Sequence, residues 1–219
     1  MTPAAGIRPA AGVTPLIQGP TFLHMILNDK EITRLALEGM ITPFTETSVN
    51  RNPDNRMNRV MSYGVSSYGY DLRLSAQDFQ VFHRPPGEII NPKQFKATHL
   101  EPAVLHEKDG DHYFILPANS YGLGVAVECL DIPGDVIAIC VGKSSYARAG
   151  LIVNCTPVEP GWRGHLTLEF SNSCASDCML FANEGICQLL FFRGEPCEIS
   201  YDDRRGKYQD QPESVKYAR

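Results

Sequence analysis

The stretch Tyr121-Gly122-Leu123-Gly124-Val125-Ala126-Val127-Glu128 decides the fold. Its larger side chains, Tyr121, Leu123, Val125 and Val127, alternate with Gly122, Gly124, Ala126 and Glu128. That is the two-residue period of a β-strand. Working outward toward the C-terminus, Val136 to Val141 is a continuous apolar strand and Leu151 to Val153 another. In 165–170, Leu166, Leu168 and Phe170 point one way while His165, Thr167 and Glu169 point the other, on what reads as a short strand. Ile186 to Phe192 is apolar except for Gln188. Glycine and proline punctuate these runs at irregular spacing, and nothing repeats at a fixed period. The pattern predicts a mainly β protein, a distorted barrel or sandwich of many short strands.

Toward the N-terminus the pattern changes once. Asn28 is a good helix N-cap with Glu31 three residues on, and Leu27 and Ile32 are spaced as a hydrophobic staple. Ile32, Leu35 and Ala36 form one apolar stripe, and Gly39 is a natural stop. Residues 46–60 read as a polar loop. Residues 1–20, rich in Ala, Pro, Gly and Thr, read as a disordered tail. The rest, 21–219, reads as a single domain. Its end from Tyr201 is polar and is either a loose terminus or a flap that orders over a ligand, a lid of about 201–219.

The chain has 219 residues, 43% hydrophobic and 21% charged, with a net charge of −5. A size like this supports a real core. The acidic balance argues against a nucleic-acid polymer as partner, although one nucleotide needs only a local cluster of cations. No apolar run reaches the length of a membrane span, and Phe22 to Leu27 is too short for a signal peptide, so a cytoplasmic location is expected. Seven scattered cysteines suit reduced thiols rather than a disulfide framework. Cys174 and Cys178 lack a second pair or a neighbouring histidine, and the six histidines form no ligand-spaced cluster. No metal site, and in particular no zinc, is therefore expected.

Two features carry chemistry. Lys143, Ser144, Ser145 and Arg148 lie between Gly142 and Gly150, a turn whose backbone and cations suit a phosphate as well as they suit an exposed polar surface. It is not a Walker A loop, and no clean helical pattern follows it. Glu169 shares its strand face with Thr167 and His165. On an open face it is simply solvated; in a cleft its pKa rises and it passes protons near neutral pH. Gln188, set among apolar residues, needs a partner from the backbone or a ligand.

Several segments then resemble the deoxycytidine triphosphate deaminases, a family that shares a trimeric β fold with the dUTP pyrophosphatases. They are Gly39 to Phe44, Ser62 to Arg73, Gly142 to Arg148, Thr156 to Glu159, Gly164 to Asn172, Asn183 to Gly185 and the tail from Tyr201 to Gln211. The resemblance covers roughly 25–212. It implies a dUTPase-like, jelly-roll-like homotrimer with active sites between subunits, so that the cationic turn and Glu169 come from different chains. It implies dCTP as substrate, accompanied by magnesium on the triphosphate, dUTP and ammonia as products, and dTTP as an inhibitor.

By the same resemblance Glu169 is the catalytic proton shuttle, and Ser144 and Arg148 hold water and stabilise developing charge. Lys143, Ser145, Tyr146 and Ala147 complete the turn that meets the nucleotide. Thr156, Pro157, Val158 and Glu159, with Thr167 and Leu168, contact base and sugar. Gln188, Tyr201, Lys207 and Gln211 serve the triphosphate and the lid. The zinc deaminases instead carry a His-x-Glu and a Pro-Cys-x-x-Cys signature, and this chain has neither. Two departures concern the family pattern. Pro160-Gly161-Trp162-Arg163 reads like the pyrophosphatase turn, and an arginine that some members carry between Thr156 and Pro160 is missing. Beside deamination this leaves a bifunctional enzyme giving dUMP, a dUTPase-like hydrolase using Glu159 as base, and a non-catalytic nucleotide sensor.

Overall fold

The computed structural model describes residues 25–51, 59–83, 89–154 and 156–218. The expected N-terminal tail 1–20 lies outside them, as does part of the polar loop 46–60. The chain opens with helix α1, Asp29–Leu37. The Asn28 side chain accepts from the Glu31 amide at 3.1 Å, and Gly39 turns out of the helix at φ +110°, as the cap and stop residues require. Leu27 and Ile32 are both buried.

Fourteen strands follow among the described residues. The first four are β1 (Ile41–Thr42), β2 (Val49–Arg51), β3 (Arg59–Ser66) and β4 (Gly69–Phe82). Two short 3₁₀ turns then lead to β5 (Leu100–Pro102), β6 (His106–Lys108), β7 (Asp111–Leu116), β8 (Tyr121–Asp131) and β9 (Val136–Gly142). A five-residue helix, α2 (Ser144–Arg148), precedes β10 (Leu151–Asn154), β11 (Pro157–Val158), β12 (Arg163–Asn172), β13 (Cys178–Phe181) and β14 (Gly185–Arg193). Their pairing is antiparallel throughout, and the large sheet runs β10-β12-β8-β4-β14-β9-β11. It curls so that β9 approaches β10 at the seam. β13, β7 and β6 form a separate small sheet.

The opening stretch explains the curl. Gly122 and Gly124 face large rings: a Cβ on Gly122 would lie 2.8 Å from Phe79, and one on Gly124 would lie 2.6 Å from Leu74 and 3.1 Å from Phe170. The glycine face of β8 is therefore the one on which Phe79, Phe114 and Phe170 stack, with centroids 5.1 and 5.8 Å apart. A bulge between His165 and Thr167 shifts the register of β12 on β8 and bends the sheet there.

Two expectations are corrected. The strand bearing Glu169 is ten residues long, not short, because it pairs with β8 from Arg163 to Ser171 and its end, Glu169 to Asn172, pairs with β10 on the other edge as well. A helix does follow Lys143, although it is a single turn and too brief to leave a periodic signal. The apolar run at Val136 to Val141 also splits by face: Val136, Ala138 and Cys140 are buried, while Ile137 and Ile139 remain 36% and 40% exposed; Ile152 of β10 is exposed as well. No helix among the described residues is long and apolar enough to cross a membrane.

Candidate active site

Glu169 lies where three strands meet. β12 carries it, with Leu123 of β8 directly opposite on one side and Asn154 of β10 on the other. Its side chain faces a cavity of about 400 Å³. Among the residues expected at the site, Thr156, Pro157, Val158, Glu159, Thr167, Glu169, Tyr201 and Gln211 line this one cavity. The chain brings them together because β11 and β12 are joined by the tight Gly161 turn, φ +77°, and because the tail folds back across β12.

The environment of Glu169 is apolar on most sides, with Phe82, Phe95, Tyr121, Leu123 and Leu166 among the walls. Burial pushes its carboxyl up to about 7. Desolvation acts here without a compensating cation, so both protonation states are populated near neutral pH. Leu166, expected on the opposite face from Glu169, joins the same wall at the bulge.

The segment from Tyr201 is folded rather than loose. Its backbone runs beside Gly164, with the His165 amide donating to the Gln211 carbonyl at 2.9 Å and the Asp210 amide to the Arg163 carbonyl at 2.9 Å. Gly164 adopts φ +136°, and a Cβ there would lie 2.5 Å from the Gln211 nitrogen, so the approach requires glycine. The Thr167 hydroxyl donates to Gln211 Oε1 at 3.0 Å and accepts from the Lys216 amide at 3.1 Å. Trp162 is buried against the tail, its indole donating to the Tyr208 carbonyl at 2.9 Å. The Glu159 carboxylate pairs with Arg204 of the tail.

The cationic turn lies elsewhere. No residue of 143–148 lines the Glu169 cavity. Lys143 and Ser145 border a separate depression with Arg51 and Arg59. Ser144, Ala147 and Arg148 are exposed on α2, the Arg148 guanidinium donating to the Ser144 carbonyl at 3.1 Å. Lys143, Tyr146, Leu168, Gln188 and Lys207 also lie outside the cavity of their own chain. Lys143 is not a free cation: its ammonium meets Asp71 at 2.6 Å, with both side chains close to nine-tenths buried. Tyr146 turns into the core, where its hydroxyl accepts from the Phe181 amide at 3.0 Å and burial raises its pKa. The Leu168 side chain is also core, since residues 168 and 169 of a strand face opposite ways. Gln188 finds a protein partner, donating to the Ser66 hydroxyl at 3.1 Å, and lies outside the cavity. Lys207 is exposed on the tail and also outside it.

Sequence reasoning missed Asp71 and most of the cavity wall. Tyr121 and Leu123 carried a signal, since they share one face of the strand that pairs with 165–171. Phe82, Phe95, Lys216 and Tyr217 carried none, because they reach the cavity from distant segments.

Three comparisons bear on this arrangement. The dCTP deaminase-like family model matches residues 26–194. The dCTP deaminase of Acidobacterium capsulatum is 49% identical over 187 residues, 85% of this chain and 94% of its own. That of Pseudomonas putida strain F1 is 50% identical over 188 residues, 85% of this chain and 95% of its own. Among solved structures, 2'-deoxycytidine 5'-triphosphate deaminase from Agrobacterium tumefaciens matches with a TM-score of 0.52 at 17% identity, over 77% of this chain and 48% of that one, a likeness of fold. By both the family model and these relatives, the chain belongs to the dCTP deaminase-like family.

Proposed function

We propose that the protein deaminates dCTP to dUTP, with Glu169 moving the protons. The observation that carries this reading is a single desolvated carboxylate, titrating near 7, inside a cavity of nucleoside size in a chain about half identical to proteins named dCTP deaminase. Replacing the amino group of cytosine requires water to attack C4. The Glu169 carboxylate takes a proton from that water as the C–O bond forms and delivers it to N3. It next takes the proton of the new hydroxyl and passes it to the amino nitrogen, and ammonia leaves as C4=O forms. A carboxyl titrating near the working pH suits both directions of transfer. The nucleotide carries magnesium on its triphosphate as part of the substrate.

Ser144 and Arg148 join the site from a neighbouring copy, in a trimer whose contacts include the exposed isoleucines of β9 and β10. Their exposure on α2, away from the cavity of their own chain, supports this division. The tail acts as a lid, and the enzyme works in the cytoplasm, with dTTP as its inhibitor. A second step, cleavage of dUTP to dUMP, is supported by Glu159, whose carboxylate lines the same cavity.

Incubation with dCTP and magnesium tests both readings. Ammonia with dUTP is the expected result. Ammonia with dUMP and pyrophosphate adds the second step, and absence of ammonia refutes deamination. Glu169→Gln should lower turnover by roughly 10²–10⁴-fold while retaining dCTP binding.

A further inference from the structure

Glu169 has two polar neighbours on its sheet face that belong to neither the cationic turn nor the tail. Tyr121 stands on β8, opposite Ser171 of β12, and two residues from Leu123, which is opposite Glu169. Asn154 stands on β10, directly opposite Glu169. Directly opposed residues, and residues two apart on a strand, share a sheet face. Tyr121, Asn154 and Glu169 therefore project from the same side of three adjacent strands. The Asn154 amide donates to the Tyr121 hydroxyl at 2.9 Å, a bond between the outer two strands that crosses the middle one. The Tyr121 ring is fixed in turn by Phe82, edge to face at 4.9 Å. Tyr121 also lines the cavity, where burial raises its pKa and the charge of Glu169 adds to the effect.

We infer that Tyr121 and Asn154 are positioning residues: their hydrogen bond forms a strap across β12 that keeps the Glu169 carboxylate turned into the cavity. Neither group touches the reacting atoms. The strap removes the outward rotamers of Glu169 and covers the side from which water would reach it. Asn154 and the Tyr121 hydroxyl are uncharged, so the effect is one of geometry and hydration. The titratable groups that face the cavity with Glu169 are Tyr121 from β8, Glu159 after β11, and Tyr201, Tyr208, Lys216 and Tyr217 from the tail.

The inference rests on Glu169 as the proton carrier, but its test does not depend on turnover. The Glu169 carboxyl is followed by carbon-13 NMR against pH in the wild type, Tyr121→Phe, Asn154→Ala and the double variant. Tyr121→Phe keeps the ring on Phe82 and so keeps the fold. Each single variant is expected to move the Glu169 midpoint from about 7 toward the ordinary carboxylate range. The double variant is expected to move it no further, because both act through one bond. In a dCTP assay kcat should fall about fivefold to tenfold with KM changed less, the factor that one hydrogen bond supplies. Unchanged midpoints in both single variants, or additive shifts in the double variant, would overturn the strap. A wild type that releases no ammonia, yet shows the expected midpoints, would instead remove the deaminase reading and leave the strap standing.

Discussion

Replacing Glu169 by glutamine should make the protein more stable, and only above a particular pH. The carboxyl titrates near 4.5 when solvated and near 7 in the folded chain, because burial disfavours its anion. The raised value means that the folded state holds the proton more tightly than the unfolded one. The stability this contributes is complete below about pH 4.5, is lost as pH rises, and is gone above about pH 7. A shift of that size corresponds to ~3 kcal/mol. Glu169 is only partly buried and its cavity is open to water, so screening reduces this by about half, to ~1.5 kcal/mol.

Glutamine has nearly the same shape and never ionises. At about pH 8 Glu169→Gln should therefore exceed the wild type by ~1.5 kcal/mol, or roughly 3–6 °C in Tm. At about pH 3.5 the two should nearly coincide, since Glu169 is then almost entirely protonated in either state. Urea unfolding at fixed protein concentration, repeated across this range, measures the difference directly. Equal stability at pH 8 would refute the reasoning, because it would mean that Glu169 is hydrated and not poised for proton transfer. An advantage independent of pH would refute it too, by assigning the gain to packing.

Two further perturbations follow from the geometry. Lys143→Met should cost ~3 kcal/mol by leaving Asp71 buried without its cation, and Asp71→Asn in the same chain should recover part of the loss in chemical denaturation. Gly164→Ala forces a Cβ against the backbone of Gln211, so the tail should detach while the barrel persists; tryptic cleavage after Arg205 and Lys207 should quicken by about tenfold, and an unchanged rate would show that the tail is held elsewhere.

The fold was legible where the backbone imposes a period. The alternation at Tyr121 to Val127, the polar and apolar faces of 167–170 and the Asn28 cap each report a local constraint, and each reappears in the structure, the bulge before Thr167 displacing only Leu166 from its expected face. β5 and β6 were not legible, because each is three residues long, mostly exposed and without an apolar run. The cavity was half legible. Glu169 and Thr167 announce themselves as polar residues on one strand face, and the 156–159 segment came from the resemblance. The aromatic walls did not, since Phe82 and Phe95 look like any core residues until the chain folds them next to Tyr121. The partner of Lys143 was hidden for the opposite reason: the residues that follow it are serines, and Asp71, with which it pairs, lies 72 residues away.

The contacts between the tail and β12 also set a threshold for whatever enters the cavity. Gln211 already takes the single proton the Thr167 hydroxyl can donate, and the Lys216 amide donates to its oxygen, so that hydroxyl has no donor to offer until the Gln211 bond is given up. A ligand thus competes with the protein's own chain end, and its apparent affinity is its intrinsic affinity scaled by the fraction of molecules in which the tail has let go. A substitution at Arg163, which does not line the cavity, alters that fraction through Asp210 without meeting the ligand at all. Selectivity at Glu169 and occupancy of its cavity can therefore be tuned separately, one on the barrel and the other on the last eighteen residues or so of the chain.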